Sequence, residues 1–301
     1  MPSEATYIGR FAPSPSGPLH FGSLVAALAS FLDARAQGGR WLLRMEDLDP
    51  AREPPQAAAS ILRSLEAFGL HWDGEVLYQS TRLEAYRDAL KQLRALGLIY
   101  TCDCSRQDVQ AMGGVYDGRC RARTEAVVHG ALRVKVADET ITFNDLIQGP
   151  QAQQLLHECG DFVVLRKDGL FAYQLAVVVD DAFQGISHVV RGVDLLDSTA
   201  RQIYLQRCLG ETTPQYAHIP VAVNADGQKL SKQHFARAID DADPVPQLLQ
   251  SLQFLGQAPA PELREASTEE LLHWAIGHWD IQAVPKLANI RHDCDPAITS
   301  G

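Results

Sequence analysis

The sequence predicts an α/β fold in which a parallel sheet is split by an antiparallel insertion and followed by a small helical segment. Three observations support this prediction. A strand, a helix and a second strand follow one another near the N-terminus, which is the βαβ pattern of parallel sheets. From Ile99 to Gly149 the sequence changes to short segments of alternating polarity. Longer buried elements return after residue 174.

The N-terminal elements surround a predicted ligand site. A proline-rich turn over 13–18 ends the first strand, and a nearly all-apolar helix then runs until two glycines stop it. Thr81 and Glu84 predict a capping box for a later helix. Ligands of parallel sheets collect at the carboxyl ends of the strands, where Arg10 and Glu46 lie. The predicted elements are strands over 7–11 and 41–45 and helices over 22–37, 55–68 and 82–96.

The rest of the chain predicts an antiparallel region, a return to the parallel sheet and a helical end. A glycine-containing turn over 167–169 indicates a hairpin. Ser267 and Glu270 predict a capping box for the last helix. The predicted elements are strands over 132–136, 162–165, 170–171, 175–179 and 188–190 and helices over 198–209, 245–255 and 269–279.

Composition excludes several classes of protein. The 301 residues, 46% of them apolar, can bury a large core, so a disordered or fibrous chain is excluded. The net charge of −10 excludes attraction of the whole molecule to nucleic acid or to an anionic membrane, so any RNA contact must be local. The longest apolar run, over 24–32, is far shorter than the roughly 20 residues of a membrane helix. With no secretory signal pattern and only six cysteines, we expect a cytoplasmic monomer that contacts no membrane.

A first chemistry-bearing segment, His20-Phe21-Gly22-Ser23, stands at the predicted start of a helix. Free backbone N–H groups and the helix dipole favour anions at such a position. His20 can donate a hydrogen bond to a phosphate oxygen, and Gly22 lets a flat base approach the backbone. Taken alone, the segment also fits a histidine that merely caps its helix.

A second segment, late in the chain, carries Lys229, Ser231 and Lys232 in a glycine-flanked loop. Two lysines and a serine suit the neutralisation of phosphate charge, and a loop can close on a bound substrate. Taken alone, this segment is also compatible with a solvated basic turn.

Together and in this order, the two segments resemble the two signatures of class I aminoacyl-tRNA synthetases. The resemblance covers about the first 240 residues and implies a class I synthetase-type, Rossmann-like catalytic domain. Further segments are similar to the glutamyl branch of that class: Arg10, 44–49, 177–181 and 190–194. The chain departs from the usual signatures at Ser23 (a histidine elsewhere), Leu230 (methionine) and Gln233 (serine).

The resemblance implies a role for each residue of the site. Arginines pair bidentately with carboxylates, and the implied glutamate-binding residues are Arg10, Phe11, Ala12, Pro13, Ser14, Glu46, Tyr173 and Arg191. Glu46 would face the α-ammonium group. The implied ATP-binding residues are His20, Gly22 and Lys232, and the implied catalytic residues are His20, Lys229 and Lys232, with Mg²⁺ accompanying ATP. Without the resemblance, structural ion pairs and a core tyrosine explain the same residues.

A third segment suggests a metal site. Three cysteines lie within nineteen residues: Cys102, Cys104 and Cys120. Three close thiols can hold one zinc ion, which favours four tetrahedral ligands. For the fourth, Asp103, Asp117 and His129 are ordinary candidates, and three unligated thiols are the alternative. The resemblance to glutamyl-queuosine members of the family implies Tyr116, and one structural Zn²⁺ per chain. The dispersed cysteines, Cys159, Cys208 and Cys294, are predicted to be packing residues.

The resemblance also implies a domain order and a function. Residues 1–98 and 175–240 would form the two halves of the catalytic domain, 99–174 an acceptor-side insertion with the zinc site, and 241–301 a C-terminal helical region. A full glutamyl-tRNA synthetase continues into domains that grip the anticodon, whereas 61 residues follow Asp240 here. We therefore expect tRNA-independent activation of L-glutamate and its transfer to the queuosine base in the anticodon of tRNA(Asp).

Several points stay open at this level. Arg119, Arg121 and Arg123, with Lys229 and Lys232 across the cleft, are candidate RNA contacts, and a solvated arginine run explains the first three equally well. Rival functions are a short glutamyl-tRNA synthetase that charges a 3′ end, a catalytically dead RNA-binding relative, and a pantothenate-synthetase-like adenylyltransferase. The intact signature residues argue against the second rival, and the paired arginines with their nearby glutamate argue against the third.

Overall fold

The structure is a computed structural model that describes residues 6–123, 130–230 and 237–292. Its strands are β1 (Ile8–Phe11), β2 (Arg40–Met45), β3 (Leu77–Tyr78), β4 (Ile99–Cys102), β5 (Ala131–Val134), β6 (Thr140–Asp145), β7 (Gly149–Gln154), β8 (Phe162–Leu165), β9 (His188–Gly192), β10 (Gln215–Ile219), β11 (Val221–Val223) and β12 (Asn289–Arg291). Its helices are α1 (Phe21–Ala36), α2 (Ala57–Ala67), α3 (Leu83–Ala95), α4 (Arg106–Ala111), α5 (Leu155–Glu158), α6 (Tyr173–Phe183), α7 (Leu196–Leu209), α8 (Pro244–Phe254) and α9 (Thr268–His278).

Parallel strands form the centre of the fold, as the βαβ pattern predicts. β1 pairs with β2 and β2 with β3, all in parallel. β9 pairs in parallel with β10 and lies beside β1, where the backbone N–H of Ser187 donates to the carbonyl of Ile8 at 2.9 Å. β1 and β9 therefore meet, although more than a hundred residues separate them in the chain.

The predicted apolar helix α1 is the buried core of this region. It packs against β1, β2 and β9 on the sheet and against α8 and α9 from the C-terminal part. The rings of Phe21 and Phe254 meet edge to face at 5.6 Å, and the Trp279 indole donates to Asp33 at 2.9 Å. No helix in the described ranges is both long and apolar enough to cross a membrane.

Antiparallel elements lie between β3 and β9 in the chain. β4, β5 and β8 form one antiparallel sheet, and β6 and β7 form a hairpin. The predicted turn over 167–169 is confirmed, because Leu165 and Phe171 form an antiparallel bridge across it. This region positions two features of the sites below, the cysteine cluster after β4 and Asp145 at the end of β6.

Two local predictions are wrong. The predicted strand over 175–179 belongs to helix α6, because a continuous apolar run fits a buried helix as well as a buried strand and α6 is buried on most sides. The capping box of Thr81 and Glu84 does not form, since a 3₁₀ turn over 79–82 precedes α3 and the Thr81 hydroxyl donates to the carbonyl of Tyr78. The capping box of Ser267 and Glu270 is confirmed.

Candidate active site

A cleft of about 790 Å³ opens at the carboxyl ends of β1, β2 and β9. Residues predicted from separate parts of the sequence line it together. They are Arg10, Phe11, Ala12, Pro13, Ser14, His20, Gly22, Glu46, Tyr173, Arg191 and Lys229. Lys232, another predicted substrate-site residue, lies outside the described residues. So do its loop neighbours Ser231 and Gln233.

The fold brings the two signature segments to the same wall of the cleft. Ala238, just after the lysine loop, forms an antiparallel bridge with His20, and the backbone N–H of Ile239 donates to the carbonyl of Leu19 at 3.0 Å. Lys229 lines the cleft and its ammonium group pairs with Asp194 at 2.6 Å. The helix start and the lysine loop are therefore neighbours in space.

His20 is the N-cap of α1, and Ser23 contacts both nitrogens of its ring. The Ser23 backbone N–H donates to His20 Nδ1 at 3.3 Å, and the Ser23 hydroxyl lies 3.1 Å from Nε2. Ser23, the departure from the usual signature, thus orients the first histidine. A Cβ at Gly22 would lie 3.3 Å from His20 Cε1, so a larger residue would crowd the ring.

Arg10 and Glu46 belong to a buried network of charges on the floor of the cleft. Asp181 accepts from Arg10 Nε at 3.2 Å and from Arg44 Nη1 at 2.7 Å. Arg44 Nη2 in turn pairs with Glu46 at 3.3 Å. Burial raises the pKa of Glu46 in spite of its pairing with Arg44. Burial acts on Asp181 in the same direction, but Arg10 and Arg44 outweigh it and hold the pKa of Asp181 below its ordinary value.

Arg191 is buried in a different way, because its polar contacts are all neutral. Only 5% of its surface is exposed. Nε donates to His218 Nε2 at 3.0 Å, Nη2 to the Thr199 hydroxyl at 2.9 Å and Nη1 to the Tyr173 hydroxyl at 3.3 Å. Within the described ranges, no carboxylate lies in ion-pairing distance of this guanidinium group. A buried cation without an anion is costly, so the cleft is electrostatically suited to an anionic ligand.

Sequence reasoning missed the residues that stand behind the cleft. Arg44 and Asp181 lie in segments that carry the family resemblance, but no role followed from the sequence. Two consecutive acids at the end of an apolar run, Asp180 and Asp181, were the available signal for a buried ion-pair network. His218 and Asp145 had no such signal, since a single histidine and a single aspartate in strands are ordinary.

The cysteine cluster forms a compact donor set at the end of β4. Sulfur atoms of Cys102, Cys104 and Cys120 all lie within 4.8 Å of one another, and Cys104 and Cys120 are 3.7 Å apart. Zinc–sulfur bonds of about 2.3 Å in a tetrahedron require a similar spacing. The Tyr116 hydroxyl lies 3.4 Å from Cys102 Sγ, and the buried Arg133 guanidinium donates to the same sulfur at 3.3 Å.

Two further features bear on that donor set. Burial and the neighbouring thiols raise the pKa of Cys104 to about 12, whereas the opposing effect of burial at Cys102 is outweighed by hydrogen bonds with Tyr116 and Arg133, which lower the pKa of Cys102. Of the competing fourth ligands, Asp117 pairs with Arg119 and Asp103 with Arg123. His129 lies outside the described residues, as does Cys294. The arrangement fits a zinc ion with Tyr116 as the nearest oxygen donor.

The arginine run near the cluster is already paired. Arg119 binds Asp117 at 2.7 Å, Arg121 pairs with the buried Asp161, and Arg123 binds Asp103 at 2.7 Å. Each positive charge in this run therefore has a carboxylate beside it. The run is a set of ion pairs and does not form a continuous basic strip in this structure.

Comparison with known proteins places these observations in a family. Residues 8–270 match the family model described as tRNA synthetases class I (E and Q), catalytic domain. The Glutamyl-Q tRNA(Asp) synthetase of Salmonella typhi is 53% identical over 290 residues, which cover 96% of this chain and 97% of that protein. The protein of the same name from Pseudomonas fluorescens is 50% identical over 288 residues, covering 96% and 97%. The crystal structure of a glutamate-tRNA synthetase from Elizabethkingia anophelis matches with a TM-score of 0.79 and 25% identity, covering 96% of this chain and 68% of that one.

Proposed function

We infer the function from one premise: the chain belongs to the class I tRNA synthetases (E and Q). We propose that it activates L-glutamate with ATP and transfers the glutamyl group to the queuosine base of tRNA(Asp). The observation that carries the first step is the buried Arg191, whose described partners are all neutral, in a cleft that also holds the signature residues His20 and Lys229. The names of relatives about half identical over nearly their whole length support the second step.

The glutamate subsite lies between the two buried arginines. Arg191 and Arg10 bind the two carboxylates of the substrate, since guanidinium groups donate in pairs to such anions. Glu46 accepts a hydrogen bond from the α-ammonium group, which also relieves the cost of burying its own charge. Burial raises the pKa of Tyr173, so its phenol stays protonated and can donate to a carboxylate. Phe11, Ala12, Pro13 and Ser14 close the subsite from the turn after β1.

ATP lies along the wall formed by the two signatures. His20 stands at the positive end of α1 and donates to a phosphate oxygen, and Gly22 keeps the backbone open to the nucleotide. Lys229 and Lys232 neutralise the phosphates, Lys229 after leaving Asp194. Mg²⁺ that enters with the nucleotide adds charge neutralisation on the phosphates.

Activation is a displacement at phosphorus. A carboxylate oxygen of glutamate attacks the α-phosphate of ATP, the bond from that phosphorus to the bridging oxygen breaks, and pyrophosphate leaves with the bonding electrons. The product is glutamyl-AMP. His20 and the lysines stabilise the negative charge that spreads over the phosphate oxygens during the displacement. A hydroxyl of queuosine then attacks the activated carbonyl carbon, loses its proton and displaces AMP.

The acceptor is a base that the protein reaches in a single-stranded loop. Anticodon bases are unpaired and are read by stacking and hydrogen bonding after they leave the stack. The cyclopentene diol of queuosine offers adjacent hydroxyl groups, as a 3′-terminal ribose does, to the same activated carbon. ATP and mature tRNA are found in the cytoplasm, so we assign the reaction to that compartment. We propose that the protein acts as a monomer.

One zinc ion per chain completes the proposal. Cys102, Cys104, Cys120 and Tyr116 would hold it, and its bonds would fix the segment after β4. We assign this segment to the acceptor side of the molecule, within an insertion over 99–174 that divides the catalytic domain into 1–98 and 175–240. The antiparallel strands β4, β5 and β8 support that division because they interrupt the parallel strands in the chain. The C-terminal region over 241–301, expected from the sequence to be helical, contains α8 and α9 but also the short strand β12, which pairs in parallel with β11.

The function is tested first by exchange of labelled pyrophosphate into ATP. We expect exchange that needs glutamate and Mg²⁺ but no tRNA, because the described cleft residues include both a carboxylate site and a phosphate site. Labelled glutamate should then enter tRNA(Asp) only when queuosine is present, and oxidation of the queuosine diol should abolish labelling. Labelling of the 3′ end of tRNA(Glu) would instead support an ordinary glutamyl-tRNA synthetase, and no exchange with any amino acid would reject synthetase activity.

The zinc site is tested by elemental analysis of protein purified without added metal. We expect about one equivalent of zinc per chain and its loss in Cys104→Ser, because structural zinc needs its full donor set. Transfer to tRNA should suffer more than pyrophosphate exchange, since the cluster lies outside the cleft. Cys208→Ser is the matched control and should keep the metal. Less than about 0.1 equivalents in the unaltered protein, with no uptake on titration, would reject the site.

A further inference from the structure

We propose that His218 and Asp145, neither of which lines the cleft, are positioning residues that hold Arg191 in the orientation that receives a substrate carboxylate. The inference rests on the proposed function, since it names residues that act on the glutamate subsite through Arg191. His218 is fully buried behind the wall and Asp145 is 1% exposed. The three side chains form a line from β6 through β10 to the cleft.

The first link is the hydrogen bond between Arg191 and His218. Arg191 Nε donates to His218 Nε2 at 3.0 Å. An arginine has only donors, so His218 Nε2 must present its lone pair and the ring must be neutral. This bond occupies Nε, while Nη1 and Nη2 contact hydroxyl groups at 3.3 and 2.9 Å. The guanidinium plane is therefore fixed from behind.

The second link fixes which nitrogen of His218 carries the proton. Asp145 Oδ2 lies 2.5 Å from His218 Nδ1, so Nδ1–H donates to the carboxylate and Nε2 is left as the acceptor. Burial and the charge of Arg191 keep the pKa of His218 below its ordinary value despite the pull of Asp145. The ring thus stays neutral with one defined tautomer, the one that Arg191 requires.

Asp145 is itself held rigidly. Its other oxygen, Oδ1, accepts the backbone N–H groups of His218, Ile147 and Gln148 at 3.1, 3.0 and 2.8 Å. These bonds, with that from His218, lower the pKa of Asp145 although burial opposes them. Because Asp145 ends β6 of the β6–β7 hairpin, the antiparallel region between the parallel strands supports the glutamate subsite from behind. If His218 and Asp145 served only to stabilise the core, the ring of His218 would not need the one tautomer that accepts a hydrogen bond from Arg191.

Asp145→Asn is the sharpest test because it changes a single acceptor into a donor. Its Oδ1 can keep the three backbone bonds, whereas its amide N–H₂ would face His218 Nδ1 and force the proton to Nε2, against Arg191. Long-range ¹H–¹⁵N spectra of ¹⁵N-histidine-labelled protein report the tautomer of each histidine ring, and the signal that disappears in His218→Gln belongs to His218. We expect this ring to be the Nδ1–H tautomer in the unaltered protein and the Nε2–H tautomer in Asp145→Asn. Asp33→Asn, which alters another buried carboxylate away from the cleft, should leave that ring unchanged.

Kinetics of pyrophosphate exchange separate positioning from folding. We expect Asp145→Asn and His218→Leu to raise KM for glutamate by about 10-fold or more, since a charge-assisted hydrogen bond is weakened or lost, and to leave KM for ATP within about twofold. His218→Gln keeps an acceptor where Nε2 stands and should recover most of the loss. Asp33→Asn should leave both KM values unchanged.

The outcomes distinguish this inference from the proposed function. Normal KM for glutamate in a folded Asp145→Asn, or an Nε2–H tautomer in the unaltered protein, overturns the positioning role while glutamate activation stands. If the unaltered protein activates no amino acid, the proposed function fails, and the spectra still decide whether His218 presents its acceptor to Arg191. If His218→Leu does not fold, Asp145→Asn and His218→Gln carry the test.

Discussion

Arg191→Met is expected to lower kcat/KM for glutamate activation by about 100-fold or more, because a substrate carboxylate loses two charge-assisted hydrogen bonds of about 1.5 to 3 kcal/mol each. The same change should cost the empty protein less thermal stability than the loss of a buried arginine that is paired directly with carboxylates. The reason is that Arg191 has no carboxylate in direct contact among the described residues, so its removal leaves neutral acceptors without a donor but breaks no direct ion pair. Pyrophosphate exchange and thermal unfolding measure the two effects.

Arg44→Met is the matched control because Arg44 is also buried but is paired. Its removal leaves Asp181 and Glu46 with one cation fewer. We expect a loss of about 3 to 5 kcal/mol of stability, as found when one partner of a buried ion pair is deleted. A fall in stability for Arg191→Met as large as that for Arg44→Met would show that Arg191 is a structural residue and would contradict its assignment to an anionic substrate.

His20→Asn is expected to reduce kcat of pyrophosphate exchange by about 100-fold, the usual cost of one preorganised contact to transition-state charge. Asparagine is a good N-cap, so it can replace Nδ1 as the acceptor for the Ser23 N–H and keep α1 intact. The shorter asparagine side chain does not extend to the position of His20 Nε2, so the contact to the phosphate is lost. KM for glutamate should change little.

His278→Asn provides the control for the histidine-to-asparagine change. His278 ends α9, far along the chain from the cleft residues, and its ring nitrogen lies 2.8 Å from the carbonyl of Trp274 on the surface. Exchange should be unaffected. Full kcat in a folded His20→Asn would mean that the histidine only caps its helix, which is the alternative that the sequence left open.

Local signals predicted the fold well where the structure depends on local chemistry. Gly38 follows α1 with a positive φ of 63° and Gly210 caps α7 at 75°, conformations that glycine adopts without strain. The apolar run over 175–179 predicts a strand but lies in α6, because this helix is buried nearly all round and no polar face reveals its period. The Thr81 capping box failed because a 3₁₀ turn occupied the residues that would have formed it.

The contrast between local signals and tertiary contacts also explains which residues of the candidate site can be predicted from the sequence. The cysteine cluster and the two signatures are short segments, and their members are close in space because they are close in sequence or follow a known pattern. His218 and Asp145 are 73 residues apart, and they meet only because the β6–β7 hairpin docks on β10. Nothing in either neighbourhood of the sequence encodes that contact. Residues such as His218 and Asp145, which act on the cleft from behind its wall, are therefore identified from the packing of the folded chain.

The charges around the glutamate subsite decide more than affinity. Three guanidinium groups, those of Arg10, Arg44 and Arg191, face two carboxylates, those of Asp181 and Glu46. Arg191 is the one of the three with no carboxylate in direct contact among the described residues, because the neutral His218 ring separates it from Asp145. L-Glutamate brings a second carboxylate that can pair with Arg191 directly, whereas glutamine, of nearly the same size, brings a neutral amide. We therefore expect discrimination between the two amino acids to depend on this direct pairing at a buried arginine, where an unpaired ion costs on the order of several kcal/mol, and only weakly on size.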